Sequence, residues 1–526
     1  MKVSANIGSM DAIQLSVFAS RIAAVCDEMG AMLRRVALSP NIKDRLDFSC
    51  AVFDAGGELC AQAAHIPVHL GSMAYAMAGI VGQLQWRRGD MVMVNDPFLG
   101  GTHLPDVTLI APVFSGEQLV GFVANRAHHA DIGASSPGSM PISTHLDEEG
   151  VIIPPSYLLR GGALDQDFLD AIVGATGNAA QSRGDFAAQV SANRTGVARL
   201  AALVEGMGAA PFEQALLALN DYAERLAASA LAELPAGEYS FEDLMDDDGL
   251  GHENIPIRAR LTVTEGTVAV DFTGTADQVA GNINCPLSVA AAAVYYVFRC
   301  LMPSQTPACA GSFRRIQLQA PEGCLVNARR PAAVAAGNVE TSTRIVDVIM
   351  GALAQAIPER IPAASHGSMN NVAMGAREGL RWDYYETLGG GMGAGPQGGG
   401  LSALQTHMTN TLNTPVESLE MHYPLRIRRY QIRRGSGGEG ARPGGDGLVR
   451  EFEFLRPTRV TLLTERRRHA PWGLNGGAAG ACGVNQLDGQ PLPAKHSFQA
   501  QPGQRLTLAT PGGGGWGSGD GRDKPL

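Results

Sequence analysis

NDPFLGGTHLPDVTLIAPVF, Asn95 to Phe114, is the stretch that decides how this chain is read. Its second half, Val107 to Phe114, is a short apolar run typical of a buried strand. Its first half reads as loop and carries Asp96, His103 and Asp106 around Gly100-Gly101 and Pro105. Pro105 biases Leu104 towards extended backbone and forbids a regular helix, so His103 and Asp106 converge only through a turn. Loops at strand ends are where a rigid scaffold presents functional groups. Further strand-like runs lie on both sides: FSCAVFD (Phe48 to Asp54), MVMVND (Met91 to Asp96) and LVGFVANRAHHA (Leu119 to Ala130). The Gly56-Gly57 pair after the first of these predicts a hairpin turn. Residues 47 to 130 are therefore expected to be sheet-rich.

Outside this region the signals alternate. Apolar positions at helical spacing predict a helix over Asp11 to Leu38, stopped by Pro40. Two more helices are expected over Asp185 to Glu205 and Pro211 to Leu234, the latter bounded by Pro235. Tyr239 to Phe272 alternates polar and apolar residues around Glu265-Gly266 and predicts antiparallel strands. Beyond Gly337, helix and strand signals interleave with three glycine-rich runs: Gly389 to Gly400, Gly435 to Gly447 and Thr510 to Gly521. The expected fold is mixed α/β (α+β), a large multi-lobed subunit whose sheet-rich N-terminal part bears the candidate site. Its expected lobes are residues 1–205, 206–336 and 337–526.

Composition excludes several function classes. The chain has 526 residues, 45% hydrophobic and 17% charged, with a net charge of −10. That is enough apolar material for a packed core, and no basic face for nucleic acid is expected. No apolar window is long enough to span a membrane, and the N-terminus shows no signal-peptide pattern. The eight cysteines are scattered without a CxxC pair, which argues against a disulfide framework or a thiolate zinc site. A cytoplasmic protein is expected. Glycine, at 65 residues, is over-represented and without a collagen period, which predicts many tight turns.

The chemistry-bearing residues gather in few places. NRAHHADIG, Asn125 to Gly133, adds His128, His129 and Asp131 to the set, and KDRLDFSC adds Asp44 and Asp47. Two imidazoles with carboxylates suit a divalent ion such as zinc or manganese, with an open position for an activated water. The competing reading makes the same groups caps or satisfied core polars, and spacing alone leaves both open. His65 and His69 of HIPVHLG read as structural, as do the isolated later histidines. No GxxxxGK[ST] phosphate loop and no GxSxG elbow is present.

NDPFLGGTHLPDVT, HHADIG with PGSMP, GNVETSTRIVDVIMGAL, YYETLGGGMGA, HMTNTLNTPVE, SGGEGARPGGDGLVRE and TPGGGGWG occur in this order. In these motifs the chain resembles the hydantoinase B/oxoprolinase family over nearly its whole length. The resemblance implies the metal-bearing B subunit of an ATP-dependent hydrolase of cyclic amides such as hydantoin, N-methylhydantoin, 5-oxoproline or caprolactam. It implies an A-type partner that binds ATP and phosphorylates the substrate, two A with two B subunits. Carried over by motif, the metal ligands fall on Asp47, His103 and His128. Asp106 and His129 are further ligands or neighbours, and His129 or Asp131 would accept a proton from water. Backbone N–H groups at Gly100-Gly101 would cradle a phosphate or oxyanion. Ala134 stands where relatives often have a second glycine, which touches loop geometry rather than a ligand. Two other readings remain at this point: a subunit of an ATP-dependent ketone carboxylase, or a non-catalytic scaffold.

Overall fold

In the computed structural model, which describes residues 10–63, 66–379 and 381–519, the first helix starts at a capping box. Asp11 accepts from the Gln14 N–H, and the Gln14 side chain accepts from the Asp11 N–H. That helix, Ala12–Val36, lies against a second long one, Ala179–Met207. Together they cover one face of a seven-stranded antiparallel sheet. Its strands are β1 (Phe48–Phe53), β2 (Leu59–Ala63), β3 (Met91–Val94), β4 (Asp106–Ser115), β5 (Gln118–His128), β6 (Ser156–Arg160) and β7 (Ala163–Leu164). They run in the order β2-β1-β5-β4-β3-β6-β7.

Helix Pro67–Val81 covers the opposite face, so β1, β3 and β4 are almost wholly buried. Two covered faces explain why these strands read as continuous apolar runs rather than as alternation. Strand geometry still sorts the side chains by parity. Val107, Leu109, Ala111 and Val123 pack with Phe186 and Ala192 of helix Ala179–Met207. Ala51, Ile110, Phe122 and Ala124 pack with Met73, Met77 and Ile80 of helix Pro67–Val81. Asp106 opposes His128 across β4 and β5, and the His128 N–H donates to the Asp47 carbonyl at the start of β1. Register therefore sets Asp47, His128 and Asp106 in one row across three adjacent strands, at one end of the sheet.

The remaining elements hold this end shut. Helix Ala209–Ala232 leads into the strands Gly237–Asp247, Glu253–Thr264 and Thr267–Asp271, with Ile316–Gln319 added in parallel. Helices Leu287–Leu301 and Ser342–Ala356 pack together within the largest apolar core. Two further sheets, of four and five strands, build the C-terminal part around Val372, Phe452 and Leu506. Glycines of the three glycine-rich runs pack backbone against backbone on one another. Among the described residues no helix is long and apolar enough to cross a membrane, and all eight cysteines are free thiols.

Candidate metal centre

Asp106 is the hub of the buried end of the sheet. Its Oδ1 lies 3.1 Å from His103 Nε2 and 3.1 Å from His128 Nδ1. Its Oδ2 takes the Thr102 hydroxyl at 2.6 Å and Asn338 Nδ2 at 3.1 Å, with His69 Nε2 at 3.3 Å. His103, Asp106 and His128 are each at most 2% exposed. The turn that brings His103 onto Asp106 is pinned by Asn95, whose amide donates to the Leu104 carbonyl at 2.9 Å. A side chain at Gly101 would place a Cβ 2.2 Å from the Asn95 carbonyl oxygen, so only glycine fits this turn. The Gly101 N–H donates to the Asp96 carbonyl. That N–H is thus already used and is not free to cradle an oxyanion.

Electrostatics makes the cluster a strong acceptor site. Burial alone would raise the Asp106 pKa, but the neighbouring His103 and His69 and the hydrogen bond from His128 hold it well below the usual carboxylate range. Burial works against protonating His103, yet Asp106, the Ala335 carbonyl and Glu149 outweigh it and raise its pKa. Burial lowers the pKa of His128. An ionised Asp106 only accepts, so His128 donates through Nδ1 and keeps a lone pair on Nε2, which has no partner. The Ala335 carbonyl likewise takes the Nδ1–H of His103 at 3.2 Å. This leaves the His103 Nε2 lone pair facing the carboxylate without a hydrogen bond. Two acceptors at that distance repel unless a proton or a cation lies with them. His103, Asp106 and His128 each offer a ligand atom, all within 4.8 Å of one another. This donor set fits a divalent cation.

The other sequence-predicted residues fall around this centre unevenly. Asp47 stays in the row beside His128, but its carboxylate turns to Arg45 at 3.6 Å. His129, one residue beyond His128, points to the opposite face, where it bonds Gln189 Oε1 at 3.0 Å and stacks on Phe186. Asp131 caps a turn through the N–H groups of Gly133 and Gly177 and pairs with Arg377. Neither reaches the cluster. His65 lies outside the described residues.

Several residues at the centre were not singled out by spacing. His69 bridges Asp106 and Ser49. Tyr385 stacks on His128 with ring centres 4.7 Å apart and donates to Asn371. Buried Arg126 clamps Thr108, Ser72 and the Gly100 carbonyl. Their segments, HIPVHLG, YYETLGG and NRAHH, were conspicuous as motifs, but nothing local in them announced these roles.

A model of the hydantoinase B/oxoprolinase family matches residues 11–519. The chain belongs to that family. It is 38% identical to 5-oxoprolinase 1 of Arabidopsis thaliana over 98% of this chain, but spans only 42% of the plant protein. It is 31% identical to a protein of Pseudomonas sp. (strain NS671) named as the B-type subunit of a D-/L-hydantoinase, covering 98% of this chain and 92% of that one. Among solved structures, the ATP-dependent caprolactamase of Pseudomonas jessenii superposes with a TM-score of 0.91 at 27% identity. That match covers 97% of this chain and 92% of the caprolactamase chain.

Proposed function

We propose that this chain is the metal-bearing B subunit of an ATP-dependent cyclic-amide hydrolase, acting on a substrate that a separate A-type subunit phosphorylates with ATP. The substrate class is a hydantoin, N-methylhydantoin, 5-oxoproline or lactam ring, and the assembly is two A with two B subunits. The observation that carries this reading is the buried cluster of His103, Asp106 and His128, whose ligand atoms lie within 4.8 Å of one another and in which His103 Nε2 and His128 Nε2 have no hydrogen-bond partner. The relative named as the B-type subunit of a D-/L-hydantoinase matches over 92% of its own length, which supports the reading of this chain as a B subunit beside an ATP-binding A-type partner.

His103, Asp106 and His128 would hold a zinc or manganese ion, with Asp47 flanking His128. A divalent ion there would supply Lewis acidity, polarising an amide or phosphoryl oxygen and lowering the pKa of water to about 7. The chain itself does the rest. His69, Thr102 and Asn338 fix the Asp106 carboxylate, and Tyr385 fixes the plane of His128. The closed packing around them excludes bulk water and so strengthens every charge interaction inside.

A cyclic amide is a poor electrophile, and phosphorylating its oxygen makes the carbon far more open to water. The test separates these halves in the complex co-expressed with an A-type partner. His128→Ala should leave ATP binding intact while ring opening falls by about 100-fold or more, chiefly in kcat. ADP and opened product are quantified in parallel across a cyclic-amide panel. Full ring opening with tight ATP coupling in that variant would reject the assignment.

A further inference from the structure

A third unpartnered atom touches the same carboxylate. Asn338 comes from the wide π-helical turn Gly337–Thr341, which feeds into helix Ser342–Ala356. Such turns recur at functional sites because they re-aim side chains. Here the turn carries Asn338 across 232 positions of sequence to Asp106, with Nδ2 3.1 Å from Oδ2. The orientation of this amide is fixed by chemistry. A carboxylate only accepts, so the NH2 group must face Asp106 and the carbonyl oxygen must face away. That Oδ1 is buried and has no hydrogen-bond donor. An acceptor left dry in the interior costs free energy unless a ligand brings the donor.

His103 Nε2, His128 Nε2 and Asn338 Oδ1 are thus three orphaned acceptors, all on side chains that touch Asp106. A cation accounts for the two imidazole nitrogens. We propose that Asn338 Oδ1 accepts the N–H of the scissile amide, positions the ring at the cation site and selects rings whose scissile nitrogen carries hydrogen. The inference rests on the hydrolase reading above and adds the recognition element to it. Lactam, hydantoin and 5-oxoproline rings all offer such an N–H, and the opened product offers it again as an amine. A ring methylated on the scissile nitrogen would turn that methyl group towards Oδ1 and leave it dry.

The experiment uses the complex with its A-type partner and two lactams that differ only by a methyl on the ring nitrogen. Wild type should prefer the N–H lactam in kcat/KM by on the order of 100-fold, since sites built to hydrogen-bond a donor reject analogues that lack it. Asn338→Ala should erase at least about tenfold of that preference while keeping the metal, because Thr102 and His69 still hold Asp106. Asn338→Ser, which retains a hydroxyl for Asp106, provides the same comparison should the alanine variant fold poorly. Equal losses on both lactams would reduce Asn338 to a structural group and overturn the proposal. Loss of metal in both variants would assign Oδ1 to the ion and also overturn it. A wild-type complex that opens no cyclic amide would sink the hydrolase reading itself, and this proposal with it.

Discussion

At the candidate metal centre, Asp106 gathers His69, Thr102, His103, His128 and Asn338 through side chains. Around Gly391 the three glycine-rich runs meet through backbone alone. The Gly391 N–H donates to the Pro511 carbonyl, that of Gly445 to Met392 and that of Gly513 to Gly445. Both places are buried and polar, yet they differ in what compensates a buried charge. The hub carboxylate supports protonated or metal-bound imidazoles beside it. The glycine-packed interior offers His366 only backbone, and both of its ring nitrogens lack partners. The result is opposite behaviour of two buried histidines: the His103 pKa is raised, whereas burial, with His407 nearby, pushes that of His366 down to about 3.

The largest effect should come from removing the hub. Asp106→Asn keeps the volume but takes the charge from three imidazoles and presents an NH2 where donors already converge. Perturbing groups around a metal ligand typically costs 10–100-fold in affinity, so loss of a ligand should exceed about 100-fold in a metal titration. Breaking a buried charge cluster should also destabilise the fold by about 3–5 kcal/mol in denaturant unfolding. A variant that binds metal as wild type does would remove Asp106 from the centre.

A smaller effect is expected from the glycine-packed side. Gly391→Ala would place a Cβ 1.9 Å from the Gly445 carbonyl oxygen. Backbone, not a flexible side chain, is in the way, so overpacking should cost about 1–3 kcal/mol or more. The metal content of the folded fraction should be unchanged. Depletion of metal in Gly391→Ala would mean that the two regions are coupled and the contrast between them is false.

The sequence revealed these regions to different degrees, for physical reasons. Apolar runs bounded by turns predicted β1, β3, β4 and β5 of the first sheet but not β6 and β7, and the NDPFLGGTHLPD turn announced a polar site at its edge. The pair His128 and His129 could not be ordered from composition. Strand parity decides it, and parity needs the register with Asp47 and Asp106, which is a tertiary fact. Asn338 and His69 were invisible as site residues because no local pattern ties them to Asp106. The glycine-rich runs were expected to be turns, whereas their described residues lie mostly outside any turn and pack backbone against backbone, since period and propensity say nothing about which segments meet.

The smallest effect at neutral pH, and the sharpest on the contrast, concerns the sign of the acid response in the metal-free chain. His366 has a folded pKa near 3 against an unfolded value of 6.5. Between those values the unfolded chain holds a proton that the folded chain does not, so stability falls as pH drops, by about 1.4 kcal/mol per unit. His366→Gln removes that term and should flatten the acid limb of a stability–pH curve measured by denaturant unfolding. His103 runs the other way. Its raised pKa gives stability that is fully present below 6.5 and lost as pH rises through the folded value. His103→Gln should therefore lower stability by a constant amount below pH 6.5, leaving the slope of the acid limb as in wild type, and should remove the loss of stability that wild type shows as pH rises above 6.5. Equal slopes for the two variants would show that both imidazoles sit in equivalent surroundings, and that the hub carboxylate does not compensate His103.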